Sequence, residues 1–236
     1  MTIKVIGFDA DDTLWHNEDT FHKVEKYFCQ MLPDKCPVLI KEHLLKIETD
    51  NLSCYGYGVK GFILSLIETY LKINDGQFEN GKMEKLLILG KEMLDSPVRL
   101  LPYAQNSLKM LSKKYTLVLI TKGDLLDQET KIKRSGLSTY FNYLEIVSEK
   151  DDLTYAKTLS KYKINPTTFM MIGNSLRSDI LPALAIGASA IHIPYKITWA
   201  HEDVKINQAN ESYVRLKDIS EVFGWLEKHH NLGSQL

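Results

Sequence analysis

The stretch that decides the fold is Ile3-Lys4-Val5-Ile6-Gly7-Phe8-Asp9-Ala10-Asp11-Asp12-Thr13-Leu14. Its apolar, β-branched first half predicts a buried strand. Three carboxylates and a threonine follow at the carboxyl end of this strand, where open α/β sheets bind their ligands. Carboxylates this close together repel one another, so they need a cation or a shared proton, and Mg²⁺ prefers oxygen ligands of this kind. The stretch therefore predicts a magnesium-dependent phosphoryl-transfer site. The alternative is an Asx-rich turn after a strand.

The composition is that of a globular protein. The 236-residue chain is 44% hydrophobic and 25% charged, with a formal net charge of -1, which is enough for a large domain or for a core with an insertion. Because there is no basic arm and no apolar run of membrane-spanning length, we expect neither nucleic acid nor a membrane as a partner. The chain enters its first strand without features of a signal peptide, so the cytoplasm is the expected location.

The cysteines are odd in number and form no CxxC pair, which argues against disulfides and against a thiolate zinc site. We expect Cys29, Cys36 and Cys54 to be small, mostly buried apolar residues.

Strands and helices alternate through most of the chain. The apolar runs at 3–8, 116–121, 143–148, 168–173 and 189–194 are continuous, as expected for strands that are covered on both faces. Helical patterns lie between the later runs, at 104–115, 125–135, 153–162 and 179–186, and a last helix is expected at 219–229. This alternation predicts an α/β fold with a parallel sheet.

A helical insertion interrupts the rhythm after the first strand. Residues 15–97 contain no clear strand but hold helical patterns at 20–32, 38–50, 59–71 and 79–94. We expect one domain to comprise residues 1–14 and 98–236, and the insertion to form a second. The glycine-rich piece at 55–62 is predicted to be a flexible loop or elbow within the insertion.

Three more strand ends carry polar side chains. Thr121 ends the second run, Lys150 follows the third, and the segment Gly173-Asn174-Ser175-Leu176-Arg177-Ser178-Asp179 follows the fourth. A strand-end hydroxyl and free backbone N–H groups can hold a phosphate oxygen, and a lysine can neutralise carboxylates and phosphate together. Each segment also has a simpler explanation. Thr121 would cap a helix, Lys150 would be a solvated surface lysine, and Ser178 or Asp179 would be an N-cap.

These four segments, in this order, resemble the motifs of the haloacid dehalogenase superfamily, and the resemblance covers nearly the whole chain. It implies a Rossmann-like core with helices on both faces of the sheet and an α-helical cap inserted after the first motif. It also implies an aspartyl-phosphate mechanism with Mg²⁺ as cofactor and a small phosphorylated metabolite as substrate. The implied catalytic residues are Asp9 as nucleophile, Asp11 as general acid and base, Thr121 and Lys150. The implied phosphate-binding residues are Thr121, Lys122 and Lys150, and the implied metal ligands are Asp9, the Asp11 carbonyl, Asn174 and, as a ligand or as a neighbour of the ligands, Asp179.

Asn174 departs from the family pattern, where many phosphatases have aspartate. An amide oxygen still ligates a hard cation, but one negative charge is lost, so we expect weaker metal binding or a compensating role for Asp179. Asp11 favours phosphate chemistry, because the dehalogenase branch of the family lacks this second aspartate. The expected function is a magnesium-dependent phosphomonoester hydrolase. The alternatives are a phosphomutase and a catalytically weak binding protein of the same fold.

The insertion is expected to select the substrate. Tyr55, Tyr57, Lys60 and Phe62 lie on the glycine-rich piece, which could enter a cleft when the cap closes. The alternative is that its aromatic side chains pack inside the cap. Lys60 could also be proposed as a Schiff-base lysine, but a lysine that meets an acidic substrate or solvent is the preferred interpretation.

Overall fold

The central element is a six-stranded parallel sheet with the order β3-β2-β1-β4-β5-β6. It is seen in a computed structural model that describes residues 2–77, 79–204 and 213–230. The strands are β1 (Val5–Phe8), β2 (Thr116–Lys122), β3 (Tyr143–Val147), β4 (Phe169–Gly173), β5 (Ser189–His192) and β6 (Val214–Arg215). The parallel α/β fold predicted from the sequence is confirmed. Because β1 pairs with both β2 and β4, the carboxyl end of β1 lies at the middle of the sheet edge.

Helices cover both faces of the sheet. They are α5 (Ala104–Leu111), α6 (Leu125–Ser135), α7 (Asp152–Lys161), α8 (Leu181–Ala185) and α9 (Ser220–His230), numbered after four helices of the insertion. Ile6 and Phe8 of β1 pack into one hydrophobic core with α5 and α9. Val118 and Ile120 of β2 pack into another core with α7 and α8. Alternate residues of the strands thus enter opposite layers.

Two strands differ from the expectation. β3 is not covered on both faces, and its first two residues, Tyr143 and Leu144, are exposed. The reason is that β3 lies at the edge of the sheet. β6 was not predicted, because a two-residue strand has no readable periodicity.

The insertion consists of α1 (Glu18–Gln30), α2 (Pro37–Tyr55), α3 (Val59–Ile73) and α4 (Asn80–Asp95). It has its own hydrophobic core, in which Phe28, Leu66 and Leu86 are fully buried. The division of the chain into 1–14 with 98–236, and 15–97, stays a prediction. In the described parts of the chain, no helix is both long and apolar enough to cross a membrane.

Most of the glycine-rich piece is helical, so the loop or elbow predicted at 55–62 is shorter than expected. Only residues 56–58 connect α2 to α3, and Val59 already begins α3. Gly56 and Gly58 have φ values of 67° and 109°, which favour glycine. Gly61 allows α3 to pass close to this connection, since an added Cβ would lie 2.9 Å from the Gly56 carbonyl oxygen.

The prediction of mostly buried cysteines is also wrong for two of the three. Cys36 and Cys54 are exposed and Cys29 is half-buried. Cys36 precedes the first turn of α2 and Cys54 lies in its last turn, so both are at helix ends that face solvent.

Candidate active site

A buried cluster of charged side chains lies at the carboxyl ends of the central strands. Asp9 follows β1, Lys150 follows β3, and Asp179 follows β4. The Lys150 ammonium lies 2.6 Å from Asp9 Oδ1 and 2.7 Å from Asp179 Oδ1. Lys150 is only 3% exposed, so the alternative of a solvated surface lysine is wrong. The structure brings together three of the predicted site residues.

The single positive charge of Lys150 does not balance the negative charges of Asp9 and Asp179. Burial and the Asp179 carboxylate raise the pKa of Asp9 to about 7, although Lys150 opposes them. Burial lowers the pKa of Lys150, but the Asp179 and Asp9 carboxylates outweigh it and raise that pKa well above its ordinary value. One ammonium therefore serves two buried carboxylates, and a cation beside Asp9 would stabilise its ionised form.

Oxygen atoms converge on the other side of Asp9. The side-chain amide of Asn174 faces both Asp9 Oδ2 and the Asp11 carbonyl oxygen. With its nitrogen turned toward them, it lies 3.1 Å from each. With its oxygen turned toward them, it accepts from the Thr13 hydroxyl at 3.3 Å, and the three oxygen atoms form the kind of donor set that a hard cation binds. The Thr13 hydroxyl donates to Asp9 Oδ2 at 2.9 Å and holds this oxygen in place.

These residues fit the predicted magnesium site because they offer three different kinds of oxygen donor. In the part of the chain that the structure describes, no group of three or more His, Cys, Asp or Glu side chains is arranged to hold a metal ion. The candidate set is instead one carboxylate, one backbone carbonyl and one amide, from Asp9, Asp11 and Asn174. Hard oxygen donors of all three kinds occur in Mg²⁺ and Ca²⁺ sites.

Both carboxylate oxygens of Asp179 are engaged. Oδ1 accepts from Lys150, and Oδ2 accepts from the Ser175 backbone N–H at 2.9 Å. This geometry suits a neighbour of the metal ligands better than a ligand. Neither Ser178 nor Asp179 caps a helix here. Ser175 caps a π-helical turn at Leu176–Ile180 that leads directly into α8. The helical segment as a whole therefore begins at residue 176, before the predicted start at residue 179.

The hydroxyl of Thr121 is buried without a hydrogen-bond partner in the described structure. It is 1% exposed and lines the same cavity as Asp9. Thr121 does not cap the following helix, since the Asp124 side chain accepts from the Asp127 N–H and caps α6. A buried hydroxyl without a partner is costly, so this geometry fits a site that takes up an oxygen of a ligand.

The carboxylate of Asp11 is held by donors that the sequence did not indicate. Trp15 Nε1 lies 2.6 Å from Oδ1, and Gln128 Nε2 lies 2.7 Å from Oδ2. Lys131 Nζ contacts both oxygens, at 2.7 and 2.8 Å. The one signal in the sequence is the spacing of Gln128 and Lys131. They are three residues apart on a predicted helix and therefore share a face.

A cavity of about 170 Å³ joins this site to the cap. Tyr57 and Phe62 line it, and their contact with substrate stays a prediction. Phe62 also packs in the hydrophobic core of the insertion, as the alternative interpretation expects. Tyr55 is exposed and lies outside the lining. Lys60 also lies outside it and pairs with Asp124 at 3.0 Å. Lys122 lines the cavity, but its ammonium binds Glu202 and the Ser178 hydroxyl, and it lies 4.0 Å from the centre of the Tyr57 ring.

The cap side of the cavity is lined by carboxyl groups. Burial and the charges of Glu48 and Glu25 raise the pKa of Glu18 to about 8. Burial and the charge of Glu25 likewise raise the pKa of Glu48 to about 8. The Trp199 side chain, which follows β5 in the core, donates a hydrogen bond to Glu48 and joins core to cap. The core end of the cavity therefore has lysines paired with carboxylates, whereas the cap end has carboxyl groups and no lysine among its lining residues.

We expect Glu48→Gln to stabilise the protein at alkaline pH. The pKa of Glu48 is about 8 in the native state, against an ordinary value of 4.5. Between these values the native state binds more protons than the unfolded state, so the stability contributed by this group falls as pH rises. Glutamine stays neutral and can still accept from Trp199. The melting temperature should rise by about 2–4 °C near pH 8 and change little near pH 5.

Thermal unfolding at the two pH values measures this effect. Glu42→Gln is the matched control, because Glu42 lies on the same helix and is exposed. An equal shift at both pH values, or an equal shift in the control, would contradict the assignment of the effect to burial of Glu48.

Comparisons with known proteins agree with this geometry. The chain matches the haloacid dehalogenase-like hydrolase family over residues 3–187. A solved haloacid dehalogenase-like family hydrolase from Xanthomonas campestris is 38% identical and has a TM-score of 0.85. The similarity covers 96% of this chain and 91% of that one. The pyrimidine 5′-nucleotidase YjjG of Escherichia coli K12 is 26% identical over 197 residues, which are 77% of this chain and 82% of the relative.

A 2-haloacid dehalogenase from Pseudomonas syringae pv. tomato DC3000 shares the fold at 20% identity. Its TM-score is 0.59, and the similarity covers 96% of this chain and 99% of that one. The fold is thus common to enzymes with different reactions. Because the family match spans most of the chain and its motifs meet in one buried cluster, this chain belongs to the haloacid dehalogenase-like hydrolase family.

Proposed function

We propose that this hydrolase is a magnesium-dependent phosphomonoesterase that works through an aspartyl-phosphate intermediate. The observation that carries the proposal is the convergence of Asp9 Oδ2, the Asp11 carbonyl oxygen and the Asn174 amide on one point. Oxygen atoms arranged in this way can bind a hard cation. The unpartnered Thr121 hydroxyl and the buried Lys150 supply a donor and a positive charge for a phosphoryl group beside it.

The metal would be held by the Asp9 carboxylate, the Asp11 carbonyl and the Asn174 amide oxygen. When bound, Mg²⁺ supplies charge neutralisation between the carboxylate and the phosphoryl oxygens. Asp179 contributes through Lys150, whose ammonium it shares with Asp9. Asn174 carries one charge less than aspartate, so we propose that metal binding is weaker than with aspartate at this position.

In the first step, the Asp9 carboxylate attacks phosphorus and the bond between phosphorus and the leaving oxygen breaks. Asp11, in its carboxylic acid form, gives its proton to that oxygen. Thr121 and Lys150 stabilise the charge on the transferring group. In the second step, the Asp11 carboxylate takes a proton from water, the water oxygen attacks phosphorus, and inorganic phosphate leaves Asp9.

The presence of Asp11 supports phosphate chemistry over dehalogenation. A hydrolase that displaces halide from carbon has no leaving oxygen to protonate, so it needs no second carboxyl group at this place. In this chain Asp11 lines the cavity with Asp9, and its carboxylate has several donors. A phosphomutase would use the same residues and would depend on a bisphosphorylated substrate. A binding protein of the same fold would show no turnover.

Among phosphomonoesters, the cap side of the cavity favours leaving groups that donate hydrogen bonds. Glu18 and Glu48 offer acceptors there, together with Asn51. A nucleoside carries ribose hydroxyls and a base N–H that these oxygen atoms can accept, whereas a second anionic group would find no cation among the lining residues at this end. The similarity to a pyrimidine 5′-nucleotidase supports nucleoside 5′-monophosphates as candidates.

Release of inorganic phosphate from para-nitrophenyl phosphate and from a panel of small phosphate esters tests the proposal. We expect turnover with Mg²⁺ and a loss of about 100-fold or more with EDTA, because a metal is worth several kcal/mol of charge stabilisation. Nucleoside monophosphates should outperform phosphoglycolate. No chloride should be released from 2-chloropropionate. Chloride release that is independent of Mg²⁺, or no phosphate release from any ester, would contradict the proposal.

A further inference from the structure

Lys131 lies beside Asp11 in a way that neither the motifs nor the proposed steps account for. It comes from the second turn of α6, and its ammonium contacts both oxygens of the Asp11 carboxylate. A third contact, at 3.1 Å, reaches the Asn17 side-chain oxygen, just before the first helix of the cap. A lysine ammonium has three protons, so these three acceptors use its whole donor capacity.

This geometry separates Lys131 from a phosphate-binding lysine. A phosphoryl oxygen could bind Lys131 only by displacing one of its present acceptors. By contrast, the unpartnered hydroxyl of Thr121 is ready to donate to a ligand. Lys131 therefore suits a role directed at Asp11 better than one directed at the substrate.

The Asp11 carboxylate cannot keep this orientation through its backbone alone. Its side chain is 21% exposed, and the carboxylate could turn about its side-chain bonds toward solvent. Trp15 approaches one oxygen and Gln128 approaches the other, while Lys131 bridges the two. General acid catalysis depends on the proton donor lying within hydrogen-bond reach of the leaving oxygen, so orientation affects rate directly.

We propose that Lys131 is a positioning residue, which orients the Asp11 carboxyl group toward the leaving oxygen of the substrate. The proposal rests on the proposed phosphomonoesterase function. The proposal predicts that the loss of rate depends on the leaving group, because proton delivery matters most when the leaving group is a poor one. An alkyl phosphate needs a proton on its leaving oxygen, whereas para-nitrophenolate leaves readily without one.

The test is the dependence of Lys131→Met on the leaving group. We expect kcat/KM, which depends on the first step and not on the later hydrolysis of the intermediate, to fall about 10- to 100-fold for an alkyl phosphate, as a partial loss of the 10²- to 10⁴-fold worth of general acid catalysis. For para-nitrophenyl phosphate kcat/KM should fall less than about 3-fold, since its leaving oxygen needs no proton. Lys131→Arg should restore part of the loss, since it keeps the charge. Lys133→Met is the matched control, from an exposed position of the same helix.

A double-mutant cycle with Asp11→Asn separates the effect of Lys131 on Asp11 from a general loss of activity caused by altered folding. If Lys131 acts through Asp11, Lys131→Met should add little to the loss already caused by Asp11→Asn. Thermal unfolding of each variant shows whether it is folded. An equal loss of kcat/KM for both leaving groups, a rise in KM alone, or additive losses in the cycle would each overturn the proposal. If the wild type itself releases no phosphate from any ester, the proposed function has failed, and this inference fails with it.

Discussion

Lys150→Met should unfold at a much lower temperature than the wild type. Lys150 is 3% exposed and lies within 2.7 Å of carboxylate oxygens of both Asp9 and Asp179. Methionine fills similar volume but leaves two buried carboxylates without a cation. Removing one partner of a buried ion pair costs about 3–5 kcal/mol, or about 6–20 °C in melting temperature for a chain of this size.

Calorimetry at neutral pH, with Mg²⁺ removed by EDTA, isolates this effect from metal binding. Lys157→Met is the matched control, since Lys157 is an exposed lysine on α7 and should change the melting temperature little. Because the two carboxylates can take up protons, the deficit of Lys150→Met should shrink at acidic pH. A melting temperature within 2 °C of the wild type would contradict the burial and pairing of Lys150, because it would imply less than about 1 kcal/mol.

Asp9→Asn should abolish turnover while leaving the protein folded. An amide has the same shape as the carboxylate but is not a nucleophile toward phosphorus. We expect kcat to fall by about 1000-fold or more, the scale seen when one member of a covalent catalytic unit is removed. Its melting temperature should differ far less than that of Lys150→Met, because one buried negative charge is removed and Lys150 keeps Asp179.

Phosphate release with Mg²⁺ present measures this loss, and Asp34→Asn serves as a control at an exposed position outside the cavity. If Asp9→Asn kept more than a tenth of the wild-type kcat, Asp9 would not be the nucleophile. Contaminating phosphatase would appear as equal activity in every preparation, including Asp9→Asn.

The sheet and the motif positions could be predicted because they are local features. The apolar run before Asp9 and the runs ending at Thr121 and Gly173 are readable one at a time, and their order along the chain gives the parallel fold. The exposure of β3 could not be predicted in this way. It depends on which strand lies at the sheet edge, and that is decided by pairing between distant segments.

The residues that meet in the candidate site could be named from the sequence, but their contacts could not. A lysine on a loop is usually solvated, and Lys150 is buried only because Asp9 and Asp179 meet it from two other strands. Lys131 and Gln128 were missed because their partner, Asp11, is more than 100 positions away in the chain. Of the four cap candidates, Tyr57 and Phe62 line the cavity. Lys60 is drawn to Asp124 of the core, a partner that no local pattern reveals.

The most direct measurement of the central claim is the mass of the peptide that contains Asp9 during turnover. Asp11→Asn is the variant of choice, because it keeps the nucleophile and lacks the base that would hydrolyse the intermediate. It would be mixed with para-nitrophenyl phosphate and Mg²⁺, quenched in acid, digested and analysed by mass spectrometry. We predict one phosphoryl group on Asp9, absent when Mg²⁺ is chelated and absent from Asp9→Asn. Phosphate release by the wild type with no phosphoryl group on Asp9 in the quenched variant, or a phosphoryl group on another residue, would contradict the account.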